Sequence, residues 1–382
     1  MSAQMKVIQL VSAAEIGKTR AELSQARHLP GEIYTSPQLY EHEMHEYFER
    51  EWLYVGRVEQ FPASGDYEAR RVLNRPIIIS RDNTGALHAF YNMCRHRGVE
   101  VAEGRGNTNF FKCPYHGWSY DLTGKLAGAA YMKESAGFNP AECRLRHIHL
   151  ETWRGNIFIN FAAEPRPFAQ AMSEFEKDFA ILNTEQCQLA DVTCMQLDCN
   201  WKFFHENLMD YYHVGVLHVK TFGARFSWTP DNLQLKEDGG LTMRYAAAPS
   251  TPDGKSLFGK APWLEHEENS FALTGFMPPN LTMFARIDMV KFIVAWPLGP
   301  DKCEVFIYLL FPQEFFSHPD FAEKVAVYRE YQQVIYEEDR SMIESMQRNM
   351  ALPFYEPGRM SVMEKPIHHF LSKYADRMFG KQ

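Results

Sequence analysis

Two short loops, C-R-H-R-G-V from Cys94 and C-P-Y-H-G-W from Cys113, each carry one cysteine and one histidine. His96 follows Cys94 by two, His116 follows Cys113 by three, and sixteen residues lie between His96 and Cys113. A thiolate and an imidazole this close in sequence reach one small inorganic centre from a single tight turn. Two such turns supply four ligands of mixed softness. Zn²⁺ accepts two cysteines and two histidines readily. Zinc fingers, however, pair Cys with Cys and His with His along the chain, whereas each loop here holds one of each. That order suits a [2Fe–2S] cluster with both cysteines on one iron and both histidines on the other.

A chain of 382 residues is long enough for two domains with substantial cores. The aromatic fraction of 14% leaves rings to spare for an apolar pocket. A formal charge of −8, without any Lys/Arg block, argues against a nucleic-acid partner. No stretch approaches the ~18 apolar residues of a membrane span. The short apolar run of the N-terminus is interrupted by Gln9 and Glu15, unlike a secretory signal, so a cytoplasmic protein is expected. With Cys94 and Cys113 assigned, five cysteines remain, an odd number that speaks for reduced thiols over a disulfide framework.

Along the chain, Ser36 is a candidate N-cap with Pro37 at the first helical position, opening a helix over 36–52. From Asp66 to Phe161 the pattern changes to short strands such as R-P-I-I-I-S-R-D and G-N-I-F-I-N-F, separated by turn signals. This predicts a small all-β barrel or sandwich with both Cys/His loops at strand ends. Ala162–Pro167 reads as a linker. Beyond it, helices are predicted over 168–181, from about Asn200, and from roughly Pro319 to Met350. Strands are predicted at Leu241–Ala246, Leu281–Ile287, Lys291–Trp296 and Cys303–Phe311. The expected fold class is α+β: a small all-β domain over 45–163, and a larger domain of 1–44 with 164–382, in which helices flank an antiparallel sheet.

The helix from Asn200 carries Glu206, Asp210 and His213, spaced four and three apart and therefore on one face. His218 follows five residues later, and Gly215 offers a break that swings it back toward the same point. Two histidines and a carboxylate with open positions make the facial triad of non-haem iron oxygenases. The H-E-x-x-H of a zinc hydrolase is missing. With fifteen histidines in the chain, this segment alone is also compatible with ordinary buried histidines.

Taken together, the motifs resemble the terminal oxygenase component of the Rieske non-haem iron oxygenases, the aromatic ring-hydroxylating α-subunit family. The likeness runs through E-W-L-Y-V-G-R, both cluster loops, N-W-K-F-F-H-E-N-L-M-D-Y-Y-H-V-G-V-L-H and E-E-D-R-S-M-I-E-S-M-Q. Respiratory Rieske proteins join one extra cysteine from each loop; Val99 and Tyr115 stand in those places here. The resemblance implies a cluster held by Cys94, His96, Cys113 and His116. It implies Fe(II) held by His213, His218 and Asp339, with Glu338 as the fallback carboxylate and Gln347 completing the family's pattern. Without it, Y-E-E-D-R-S-M-I-E reads as a charged helix face. The resemblance gives Asp210 a catalytic role, bridging His116, or else His96, of one subunit to His213 of the next, and hence implies a homotrimer.

The same resemblance implies O₂ as co-substrate. No strand-linked G-x-G-x-x-G is present, so electrons are expected from a separate NADH- or NADPH-dependent flavin reductase, directly or through a ferredoxin. Arg95, Arg97 and Lys112 either face an acidic donor or pair with Glu100 and Glu103. The expected reaction is hydroxylation or oxidative dealkylation of a mainly apolar aromatic. Its pocket is expected around Asn207, Leu208, Leu217, Phe222, Phe226, Met283, Phe284 and Phe292. The branch that oxidises carnitine, choline or betaine is the alternative. It usually has Glu-Cys-Tyr-His-Cys where this chain has Asp210-Tyr-Tyr-His-Val214. A Rieske electron carrier without catalytic iron is a second alternative.

Overall fold

A computed structural model describes residues 10–223 and 232–381, so the extreme N-terminus and Phe226 lie outside the described residues. The chain divides into two compact units, Trp52–Phe168 on the one hand and Met1–Glu51 with Ala169–Gln382 on the other.

The smaller unit is built from β1 (Leu53–Arg57), β2 (Asp66–Val72), β3 (Arg75–Arg81), β4 (Leu87–Tyr91), β5 (Gly104–Asn107), β6 (Phe111–Lys112), β7 (Ser119–Tyr120), β8 (Leu126–Gly128), β9 (His147–Trp153) and β10 (Asn156–Asn160). An antiparallel sheet runs β1-β10-β9-β4-β3-β2-β5, and β6-β7-β8 form a second, small one. β-Branched Ile77, Ile78 and Ile79 fill the centre of β3 and are buried on both faces. One core joins Ile78, Phe90 and Leu145 to Phe111, Trp118, Tyr120, Cys94 and Cys113. The two thiols are thus part of the hydrophobic interior.

In the larger unit, Ser36 Oγ caps a helix as expected, accepting from Leu39 N at 3.3 Å. That helix covers Pro37–Glu46 and gives way to a 3₁₀ turn at Phe48–Arg50, short of the expected 52. Seven strands make an antiparallel sheet: β11 (Cys187–Leu197), β12 (Leu233–Leu235), β13 (Leu241–Ala246), β14 (Phe271–Met277), β15 (Leu281–Arg286), β16 (Val290–Gly299) and β17 (Lys302–Pro312). Their order is β11-β17-β16-β15-β14-β13-β12. Side chains alternate across it. Thr282, Phe284 and Arg286 of β15 share one face, and Met283 lies on the other, opposite Gly275 of β14, against whose Cα Phe179 packs. Covered on both faces, β14 is buried along its whole length.

Two helices on the Thr282 face frame the site. Trp201–Met209 begins at Asn200, whose side chain accepts from Lys202 N at 3.1 Å and whose own N–H donates to Gln347 Oε1 at 2.8 Å. Phe321–Met350 presents a buried stripe of Val325, Tyr328, Gln332, Tyr336, Asp339, Ile343 and Gln347, spaced three or four apart. A further helix, Lys365–Phe379, stands where the sequence showed only a tail. No described helix is long and apolar enough to cross a membrane.

Candidate functional site

The two Cys/His loops have matching backbones. Cys94 N donates to Val99 O and Cys113 N to Trp118 O, each at 2.8 Å, while Gly98 and Gly117 donate back to the carbonyls of Cys94 and Cys113. Both glycines have φ near +75°, where a side chain would be strained. The loops bring His96 Nδ1 and His116 Nδ1 to 3.1 Å, with His96 stacked on Trp118. The thiols are buried and both imidazoles are exposed. Tyr120 Oη lies 3.3 Å from Cys94 Sγ and accepts from Arg95 N at 2.9 Å. Two buried sulfurs and two converging imidazole nitrogens fit the donor set of a mixed-ligand [2Fe–2S] cluster. None of the seven cysteines is in a disulfide. Glu100 pairs with Arg71 at 2.6 Å, and Arg97 stands over the ring of Tyr115.

The second group lies in the larger unit. The helix from Trp201 stops at Met209, before Asp210, whose backbone is extended and whose carboxylate accepts from Tyr212 N at 2.8 Å. One further helical turn, Val214–Leu217, is flanked by His213 at its start and His218 at its end. This corrects the single-helix expectation for Glu206, Asp210 and His213. The break comes at Asp210, where the side chain competes for backbone N–H groups, and Gly215 sits inside the second helix. Glu206 points elsewhere, to Tyr34 Oη at 2.9 Å, and burial pushes its pKa up to about 7.

His213 Nε2 and His218 Nε2 approach to 3.2 Å, and Asp339 Oδ1 lies 3.5 and 3.0 Å from them. These three residues are the group of metal-ligating type that converges within 4.8 Å among the described residues. Their other atoms are held in place. Glu338 Oε2 is 2.7 Å from His218 Nδ1 while accepting from Thr221 Oγ1 at 2.9 Å, and Asp210 Oδ2 is 3.1 Å from His213 Nδ1, an ion-pair contact out of line for an N–H hydrogen bond. Carboxylates on the Nδ1 atoms leave both Nε2 lone pairs directed at one point. Asp339 Oδ1 is buried and has no aligned hydrogen-bond partner.

Burial opposes charge on His213, but Asp210 and Asp339 outweigh it and raise its pKa to about 9. His218 is likewise raised by Asp339 and Glu338 against burial. Burial pushes Asp339 up, yet both histidines and Asn207 hold it below the ordinary carboxylate value. Such a cluster suits a divalent cation, which displaces the two imidazole protons and leaves coordination positions open.

A cavity opens on this group. It is lined by Asn207, Leu208, Asp210, Tyr211, Val214, Phe222, Tyr245, Phe284, Arg286, Lys291, Tyr331, Gln332 and Tyr336, besides the three converging residues. Asn207, Leu208, Phe222 and Phe284 are therefore at the cavity. Phe292 and Met283 are not: they pair in register on the opposite face of the sheet. Leu217 is also absent from the lining, where Val214 and His218 represent its helical turn. Glu338, Arg286, Lys291 and the tyrosines of the lining were not singled out as orienting or pocket residues from sequence. Asp339 was assigned through the family resemblance, and it is the one acid on the buried stripe of its helix.

Known proteins share both parts of this architecture. Residues 51–148 match the Rieske [2Fe-2S] domain and residues 183–380 the ring hydroxylating alpha subunit (catalytic domain). The chain is 29% identical to a chloroplastic choline monooxygenase of Beta vulgaris, covering 89% of this chain and 75% of that one. It is 26% identical to the glycine betaine monooxygenase oxygenase subunit of Pseudomonas aeruginosa, covering 92% and 89%. Against the 2-aminobenzenesulfonate 2,3-dioxygenase subunit alpha of an Alcaligenes species the identity is 30%, covering 76% of each. Among solved structures, a quaternary ammonium Rieske monooxygenase in an inhibitor complex superposes with a TM-score of 0.79 at 22% identity, covering 96% and 98%.

Proposed function

The chain belongs to the ring-hydroxylating α-subunit family of Rieske non-haem iron oxygenases, and from that premise we propose that it is the oxygenase component of a quaternary ammonium monooxygenase. As a member it is an O₂-dependent enzyme with a [2Fe–2S] cluster and non-haem iron. Family membership brings a requirement for electrons from a reductase; a separate NAD(P)H-dependent flavoprotein, directly or through a ferredoxin, is the proposed source. A cytoplasmic homotrimer is the proposed setting.

The proposed ligands are Cys94, His96, Cys113 and His116 for the cluster, and His213, His218 and Asp339 for iron. The observation that carries the second set is the convergence of two Nε2 atoms and one buried carboxylate oxygen, with Asp210 and Glu338 behind the imidazoles. Iron, when bound, supplies oxygen activation at its open positions. The protein's part is to orient both imidazoles, with Glu338 bonded to His218 Nδ1 and Asp210 beside His213 Nδ1, so that each Nε2 can serve as ligand once the metal has displaced its proton. Tyrosines and phenylalanines exclude water from the cavity. Asp210, with part of its side chain exposed, is proposed to accept a second hydrogen bond from a cluster histidine of the neighbouring subunit and so connect the two centres.

The ammonium reading is supported by likeness to choline and glycine betaine monooxygenases over most of the chain. The Alcaligenes relative supports a second reading, oxidation of an aromatic.

Metal analysis and product assays test the proposal. About three irons per chain are expected, two of cluster and one mononuclear. His213→Ala should keep the cluster absorbance, lose one iron and lose product. Asp210→Asn should keep all three irons and stop turnover. Two irons in the wild type, or full product formation by His213→Ala, would end the site assignment. Products from glycine betaine, choline and 2-aminobenzenesulfonate separate the two substrate readings.

A further inference from the structure

Arg286 and Lys291 enter the cavity from the hairpin that joins β15 to β16. Phe284 and Lys291 are register partners, and Arg286 lies two residues beyond Phe284, so all three side chains project from the same sheet face. Both cations line the cavity that holds His213, His218 and Asp339.

Lys291 is 8% exposed, yet among the described residues no hydrogen bond or ion pair holds its ammonium; it stands 5.4 Å above the ring of Phe284 and 5.8 Å from that of Tyr336. Arg286 stands 5.4 Å from the ring of Tyr245 and donates Nη1 to Ala285 O at 3.0 Å, while its Nε is buried without a partner. The other buried lysines of this unit behave differently. Lys202 meets Glu43 at 2.7 Å and Lys236 meets Asp178 at 2.6 Å. A buried charge is ordinarily paired because desolvation is costly. Here Lys291 shares the cavity with Arg286, and besides burial only Arg286 acts on Lys291, with no carboxylate to offset it; Arg286 itself feels the buried Asp288 two residues on. The ring faces beneath the cations position them but do not neutralise them.

We infer that Arg286 and Lys291 form an anion-recognition site within the substrate cavity, so that the substrate carries a carboxylate or sulfonate. The inference rests on the reading of this cavity as the substrate site. It narrows the ammonium class to betaine-like zwitterions, and it is equally compatible with an aromatic acid. A cation lacking an anionic group, such as choline, meets Arg286 and Lys291 with nothing to pair with them.

Isothermal titration calorimetry on the purified holoenzyme under anaerobic conditions tests this without turnover. Probes are glycine betaine against choline, 2-aminobenzenesulfonate against aniline, and sodium acetate and sulfate as minimal anions. At least one anionic probe should bind, about tenfold or more tighter than its counterpart without the anion. Lys291→Met and Arg286→Gln should each lose about tenfold to a hundredfold of that affinity, the span of a hydrogen-bonded charge. Lys291→Arg should retain part of it. Melting curves of each variant confirm folding. Choline or aniline binding as tightly as its anionic partner overturns the inference. So does unchanged affinity in folded Lys291→Met together with Arg286→Gln, or no binding by any anionic probe. Because binding needs no electrons, anion binding at Lys291 in an enzyme that makes no product would leave the anion site standing and remove only its assignment to a substrate.

Discussion

Lys291→Met is expected to stabilise the protein at pH 6 and to have little effect at pH 10. The lysine is buried among Phe284, Tyr336 and Arg286 without a counterion, and burial, then Arg286, lowers its pKa from 10.5 to about 7. The sign follows from proton binding. Below pH 7 both folded and unfolded chains hold the proton, and the folded one bears the whole cost of a buried unpaired charge. Between pH 7 and 10.5 the unfolded chain still binds the proton while the folded one releases it, so stability rises with pH. Above 10.5 neither is charged. A fall from 10.5 to about 7 is equivalent to about 5 kcal/mol, a ceiling that the 8% residual exposure lowers. Methionine keeps the unbranched stem and its ring contacts while removing the charge.

Urea unfolding of wild type and variant at pH 6, 8 and 10 measures this difference. Other titratable groups at the cavity, namely Asp210, His213, His218, Asp339 and the tyrosines, are common to both proteins and largely cancel in the comparison. The variant should gain at least ~1 kcal/mol at pH 6, and the gain should shrink as pH rises through the window between the two pKa values. A variant that is less stable at pH 6, or whose gain does not change with pH, would refute the reasoning. Stability and ligand affinity should move in opposite directions in this one substitution, as expected where a charge is kept for recognition.

Two other positions are as exposed to test. Glu338→Ala should lower iron affinity by about tenfold to a hundredfold, because His218 Nδ1 loses its acceptor at 2.7 Å, whereas Glu338→Gln should lose less; equal metal content in titrations against a chelator would count against the orienting role. Glu43→Gln should destabilise the larger unit by about 3–5 kcal/mol, since Glu43 takes Lys202 Nζ at 2.7 Å and Trp201 Nε1 at 2.8 Å in full burial; a loss below ~1 kcal/mol in urea unfolding would show that the pair contributes little.

How much of this was legible depended on how local each signal is. The cluster loops lie within twenty-three residues, and ligand type and spacing alone identify them. Short strands with turn signals likewise announce the smaller unit. The break at Asp210 was hidden because N-L-M-D-Y-Y-H-V contains no glycine or proline; the carboxylate's bond to Tyr212 N makes the turn. Edge strand β11 went unpredicted, since half-buried and exposed positions alternate from Asp191 to Gln196 but apolar Val192 and Cys194 take exposed ones and polar Asp191 and Thr193 half-buried ones, so the sequence shows no apolar face. Arg286 and Lys291 looked like ordinary polar positions in alternating strands. Only the β15–β16 register places them on one face and over one cavity.

That register also bears on the choice of substrate. Rings attract cations by their faces, but the faces of Phe284, Tyr336 and Tyr245 are already engaged by Lys291 and Arg286. Aromatic lining by itself therefore does not argue for a quaternary ammonium here, however cage-like the composition. A methylated cation would meet instead the carboxylates Asp210 and Asp339, which lie against the two histidines. An anion would take Arg286 and Lys291. A molecule with both charges satisfies the carboxylates and the cations in turn; an aromatic acid satisfies the cations and fills the rest with apolar area. Choline offers the cations only a hydroxyl and leaves Lys291 without a counterion. The cavity's charge pattern, more than identities of 26–30% to enzymes of differing substrate, is what separates these candidates.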